Sequence, residues 1–284
     1  MEGFRKLKVA LGGAVKSHVL GCRVALYAVL KNHGFQRKYP PSTPLQSVPL
    51  VFYTLTAFLT YLSLQLFFIP FIARLILCGT SAVCVAEPDT LIFITDVGIV
   101  VSALVTLAFS LVPQYRQAIW GINEPLKIFP KGAAWWFFAF PLAMLLGAFV
   151  KLIIELFVEY QPSTQVAVQF LKDLHDDPVL FYANAFAIVF IIPVTEEILF
   201  RGFLLNYFKS IFSFPAALIS SALFFACFHF NVDQGLSNIE LLVALTTLGL
   251  ILGWIYEREK SLWASIGLHS LFNFFGVLGI LSGA

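Results

Sequence analysis

Apolar stretches, each about as long as a helix needs to cross a hydrocarbon layer, alternate with short polar connections along most of this chain. Hydropathy marks about seven of them, near 48–78, 91–112, 133–158, 179–208, 212–230, 239–256 and 262–281. No long period-two alternation suggests a barrel. The pattern therefore predicts an all-α, polytopic transmembrane helical bundle. Composition agrees: 59% of the 284 residues are apolar and 12% are charged, where a soluble domain carries roughly a quarter charged residues.

The first 38 residues break the pattern. Arg5, Lys6, Lys8, Lys16, Arg23, Lys31, Arg37 and Lys38 face a single acid, Glu2, and at helical spacing they fall within about half of the wheel. That arrangement predicts an interfacial amphipathic helix on an anionic membrane face. Lys16 and Arg23 interrupt its apolar positions, which argues against a cleaved signal peptide. The turn-forming run Tyr39-Pro40-Pro41-Ser42-Thr43-Pro44 follows. Three segments result: a basic amphipathic and Pro-rich segment over 1–47, amino-terminal transmembrane helices over 48–158, and a carboxy-terminal membrane region over 159–284.

Charge along the connections then sets an orientation. With residues 1–47 inside, one set of connections carries Arg116, Lys127, Lys131, Lys209, Arg258 and Lys260, while the other holds Glu87, Asp89, Asp173, Asp176, Asp177 and Asp233 with Lys172. The positive-inside rule makes this a multi-pass protein of the plasma membrane, with its amino terminus cytoplasmic and its carboxyl terminus outside. A net charge of +2, with no basic stripe interleaved by aromatics, excludes nucleic acid as a partner. Cys22, Cys78, Cys84 and Cys227 have neither CxxC spacing nor a paired framework and read as small apolar side chains.

Ionisable groups at membrane depth are costly unless paired, so each needs a reason. Three clusters stand out. Glu196 and Glu197 precede Arg201, and the four-residue spacing of Glu197 and Arg201 allows a pair on one helix face. Glu196 points about 100° away. Without a cation of its own it suits a general base, although a purely structural ion network is the competing reading. Phe225 and His229 share a face one turn apart, where a lone histidine is commonly a satisfied core residue. His269 and Asn273 are spaced alike and can donate to a developing oxyanion, or serve as interhelical polar glue.

Taken in order, Glu196-Glu197-xxx-Arg201, Phe225-xxx-His229 and His269-xxx-Asn273 resemble the EExxxR, FxxxH and HxxxN motifs of the CPBP family of intramembrane proteases, which includes the type II CAAX prenyl endopeptidases. Gly249 to Asn273 resembles the same family, and the likeness covers about 180–276, so 159–284 reads as the catalytic region. The resemblance implies an intramembrane endopeptidase acting within the lipid bilayer on a membrane-associated or lipid-modified peptide, with prenylated CAAX proteins as one substrate class. By the same resemblance Glu196 would activate water with help from His229, His269 and Asn273 would hold the oxyanion, and Glu197 and Arg201 would position the base. No cofactor is required by this reading. Glu196, His229 and His269 could instead bind zinc, although the compact HExxH arrangement is absent.

Other serine and aspartyl chemistries lack their motifs. Asp96 reads as a solvated or capping residue near a span end, and Lys151 with Glu155 as a structural pair. An ion-coupled transporter or a non-catalytic membrane scaffold stands as the alternative; inverted halves and helices broken at midspan, which a carrier favours, are not seen in the sequence. One tension accompanies the grouping. If the fifth span starts near Ile211, His229 lies about 27 Å along it, deeper than Glu196 or His269 should be. Oligomeric state leaves no trace in the sequence.

Overall fold

A computed structural model describes residues 44–78, 88–121, 124–159, 163 and 165–283. Contacts divide the chain into Met1–Thr43 and Pro44–Ala284. The first unit lies outside the described residues, and with it the expected amphipathic helix and its eight basic residues; Glu87 and Cys84 lie outside them too.

Within the second unit α1 (Pro44–Ser63) continues through a π turn (Leu64–Phe68) into α2 (Ile69–Cys78). α3 (Pro88–Ser110), α4 (Pro113–Trp120), α5 (Pro125–Ala134), α6 (Trp136–Phe157) and α7 (Val166–Asp173) follow. One long rod then combines α8 (Pro178–Phe186), a π turn (Ala187–Ile191), α9 (Ile192–Glu197), a π segment (Ile198–Leu205) and α10 (Asn206–Ile211). α11 (Phe214–Cys227), α12 (Ser237–Glu259) and α13 (Leu262–Leu281) complete the bundle. An isolated bridge between Gly121 and Ser261 is the only extended pairing among the described residues.

Six helical stretches are long and apolar enough to cross a membrane: Val51–Ile76, Ile92–Ser110, Pro125–Phe157, Pro178–Ile211, Ser237–Glu259 and Leu262–Leu281. The expected fifth span is corrected. α11 has 14 residues, about 21 Å of helix, and the chain then leaves helical geometry near His229. Irregular backbone at membrane depth survives where protein satisfies it. Here the Asn238 amide donates to the Asn231 carbonyl at 2.7 Å, and the Asn231 N–H donates back to the Asn238 side chain at 3.0 Å. The sequence hid this midspan break because the run from 214 to 230 stays apolar.

Connections collect at two ends. At one end Gly121 meets Ser261, the Asn206 amide donates to the Ala118 carbonyl at 3.1 Å, and Lys209 pairs with Glu257 at 2.5 Å. At the other, Ser163 bonds Ser237 and Gln234, while Leu171 and Phe181 pack against Val277. Between them the helices touch through small residues. A β-carbon on Gly132 would sit 1.8 Å from the Ala264 carbonyl, and one on Gly267 would sit 2.3 Å from that of Phe129. Only backbone-to-backbone approach of α5 and α13 gives such distances, the mode that lipid-embedded helices use to gain packing. Outward faces carry large exposed apolar side chains such as Phe67, Phe137 and Phe157, as a lipid solvent requires.

The long rod and α11 form an antiparallel hairpin, which removes the depth conflict at His229. Fifteen residues separate Glu196 from Ile211 and fifteen separate Phe214 from His229. The Ser221 hydroxyl bonds the Phe200 carbonyl at 3.0 Å, and the Phe200 and Phe225 rings meet at 5.3 Å. His229, one turn beyond Phe225, thus reaches the level of Glu196, one turn before Phe200.

Candidate active site

Pro193 shapes the rod where the carboxylates stand. Its ring nitrogen has no hydrogen to donate and it crowds the preceding turn, and the helix answers by widening to a π turn over Ala187–Ile191. The Ile192 N–H then reaches back to the Ala187 carbonyl. In that register the Ile188 carbonyl would take its hydrogen from residue 193, which has none, and the Asn273 amide of α13 supplies one at 2.8 Å. Asn273 thus ties α13 to the helix that carries Glu196 and Glu197.

Glu197 and Arg201 pair as their spacing predicts, at 2.8 Å, with side chains 0% and 1% exposed. The same Glu197 oxygen receives His269 Nδ1–H at 2.8 Å, so one carboxylate oxygen joins α9 to α13. The guanidinium also reaches the Gly249 carbonyl of α12 at 3.4 Å and stacks on the Phe225 ring at 4.4 Å. A buried cation and anion in contact cancel each other's charge, the condition under which ionised groups persist at membrane depth. The second Glu197 oxygen has no hydrogen-bond partner among the described residues.

Glu196 differs in kind. Its side chain is 18% exposed, and its Oε2 lies 3.8 Å from His269 Nε2. His269 therefore presents one nitrogen to each glutamate. Phe225 links the remaining imidazole: its ring contacts His229 at 5.0 Å and His269 edge-on at 5.8 Å. His229 Nδ1 sits 2.9 Å from the Phe225 carbonyl. A carbonyl oxygen only accepts, so Nδ1 carries the hydrogen, and in the neutral ring Nε2 holds the free lone pair.

The structure thus gathers Glu196, Glu197, Arg201 and His269 into one connected group, places His229 against the shared Phe225 ring, and sets Asn273 one turn from His269 with its amide on Ile188. Glu197, Arg201 and His269 are buried; Glu196, His229 and Asn273 are partly open.

A residue that sequence reasoning passed over is Tyr61 of α1, whose phenol comes within electrostatic reach of the Glu196 carboxylate. A hydroxyl-tipped aromatic near the middle of the span Val51–Ile76, away from the interfacial belt where tyrosines gather, was the available signal. Asp96 is corrected: rather than capping or solvated, it lies within α3 and accepts from the Asn184 amide at 3.1 Å. Lys151 and Glu155 do pair, at 3.8 Å, half exposed.

Zinc finds no ready set. Among the described residues no three His, Cys, Asp or Glu side chains stand together so as to hold an ion. His269 spends Nδ1 on Glu197. The residues as placed do not fit a metal.

Fold and site together define a multi-pass helical membrane protein with a cluster of ionisable groups gathered where four of its helical elements meet. Residues 178–275, which include all seven motif residues, match the family model described as Rce1-like, type II CAAX prenyl endopeptidase Rce1-like, and this match supports the CAAX protease reading of the segment. No curated protein and no solved structure gives a match.

Proposed function

We propose that this protein is an intramembrane endopeptidase that hydrolyses a peptide bond of a membrane-associated, prenylated CAAX-type substrate. The observation that carries the reading is the division of labour between two neighbouring glutamates. Glu197 is neutralised in a closed network, and Glu196 stands beside it with an open side chain.

In the proposed reaction Glu196 takes one proton from water while the His229 Nε2 lone pair orients the same molecule. The water oxygen bonds to the scissile carbonyl carbon, and the carbonyl oxygen gains the negative charge. The second amide hydrogen of Asn273 and His269 Nε2, in the doubly protonated ring, stabilise that oxyanion. With that ring charged, the two glutamates, Arg201 and His269 sum to zero, which suits a site at membrane depth. Collapse breaks the carbon–nitrogen bond, and Glu196 returns its proton to the leaving amine. The other product leaves as a carboxylic acid.

We place the end that gathers Arg116, Lys209 and Arg258 in the cytoplasm of a plasma-membrane protein, by the positive-inside rule. Purified protein in detergent or proteoliposomes, given farnesylated CAAX peptides, tests the activity. Glu196→Gln and His229→Ala are expected to lower kcat by roughly 10²- to 10⁴-fold, and a chelator is expected to leave the parent unchanged. Undiminished cleavage by Glu196→Gln would overturn the mechanism; loss with chelator and recovery with zinc would replace the metal-free step. The break after Cys227 is the one feature a carrier would share, and peptide-independent ion flux across the same proteoliposomes would favour that second reading.

A further inference from the structure

Outside the matched segment, α1 lies along the rod in a regular antiparallel register. Tyr53 meets the Phe203 ring at 5.7 Å. Phe58 meets Phe200 at 5.6 Å and Phe228 at 6.1 Å, and those two rings meet each other at 5.2 Å. The ladder climbs α1 as it descends the rod. Its next rung on α1, one turn beyond Phe58, is Tyr61; on the rod it is Glu196, one turn before Phe200; and just past the end of α11 it is His229, next to Phe228. Tyr61 packs against the same core as Phe200 and Tyr53, and its hydroxyl has no hydrogen-bond partner among the described residues.

A phenol embedded in an apolar span gains most when something it can donate to comes within reach. The donors on α13 are already half committed: Asn273 to Ile188 and His269 to Glu197. A phenol O–H at the level of Glu196 and His229, from a helix other than α13, adds a third donor where a carbonyl attacked by Glu196-activated water must lie.

We propose that Tyr61 is a further catalytic residue, donating a hydrogen bond to the scissile carbonyl oxygen as that oxygen becomes an oxyanion. The proposal rests on the endopeptidase reading and assigns α1, which the family match does not reach, a direct part in the reaction. No proton is transferred; the phenol keeps its hydrogen throughout.

Tyr61→Phe keeps the ring and its packing and removes only the donor. With farnesylated CAAX peptide, kcat is expected to fall by roughly 10²-fold while KM stays within about threefold. Fluorinated tyrosines at position 61, which acidify the phenol at nearly constant shape, should change kcat in step with phenol acidity. A Tyr61→Phe protein with the parent kcat overturns the proposal, as does a loss in Tyr61→Phe that the fluorinated series does not follow. If the parent itself cleaves no peptide, the endopeptidase reading fails first. The ¹⁹F resonance of 3-fluorotyrosine at 61 then decides the tyrosine separately: a resonance unmoved both by Glu196→Gln and by added peptide overturns its placement at the site.

Discussion

One oxygen of Glu197 holds two helices together. It accepts from Arg201 on its own rod and from His269 on α13, both at 2.8 Å and both out of contact with solvent. Removing a single partner from such a group leaves an uncompensated charge, whereas removing both can be nearly neutral. Arg201→Leu is therefore expected to destabilise the protein by about 3–5 kcal/mol, and the Glu197→Leu/Arg201→Leu double variant by much less. Thermal unfolding in detergent checks this, and a double variant no more stable than Arg201→Leu would show that the pair does more than neutralise itself. Cleavage should be lost in both: in Arg201→Leu the Glu197 carboxylate beside the base is left without its cation, and in the double variant His269 loses the carboxylate that orients its Nδ1 side. At this scale the pairing of Glu197 with Arg201 was legible from a four-residue spacing. The bond from His269 to Glu197 was not, because 72 residues separate them and only the packing of α13 brings them together.

Prolines write the irregular turns of the membrane helices. Ile69-Pro70 and Ile192-Pro193 each directly follow a π turn, over Leu64–Phe68 and Ala187–Ile191, and a kinked or widened helix is the usual response to a missing N–H. The third π segment, Ile198–Leu205, has no proline; there the Asn206 side chain donates to the Gly202 carbonyl at 2.8 Å and to that of Arg201 at 3.4 Å. Seen this way, Asn273 caps a carbonyl that Pro193 left open. Asn273→Ala should cost about 1 kcal/mol, the ordinary worth of an interhelical hydrogen bond in a membrane. Pro193→Ala restores a backbone donor, so the double variant should lose less stability than the sum of the two. If cleavage lost in Asn273→Ala also returns in the double variant, Asn273 acts only through Ile188; continued inactivity places its second hydrogen in the reaction. Helix existence was readable from apolar run length, and so were the three clusters. The short α11 and the π turns were not, since an apolar run has the same hydropathy whether it is straight, widened or stopped halfway.

Among the described residues the acidic connection around Asp173–Asp177 and Asp233 and the basic ones around Arg116, Lys209 and Arg258 lie at opposite ends despite the interrupted crossing. The chain from Phe214 enters at the end where Lys209 meets Glu257, and it leaves at the end where Ser163 bonds Ser237 and Gln234. α11 and the irregular 228–236 segment together complete the passage that a single helix was expected to make, so the alternation of sides survives the loss of a full span. That constraint fixes a test of orientation. A reporter that is active only outside the cytoplasm, such as alkaline phosphatase, should be inactive when fused after Ile211 and active when fused after Leu281. A cytoplasmic fluorescent reporter should give the reverse. Activity at both positions would mean that 214–236 turns back on the side it entered, which would put the carboxyl-terminal end of α13 beside Lys209 and Glu257. The packing of Val277 against Leu171 and Phe181 argues against that arrangement, because it holds α13's last turns at the acidic end while its first turn touches the Gly121 connection.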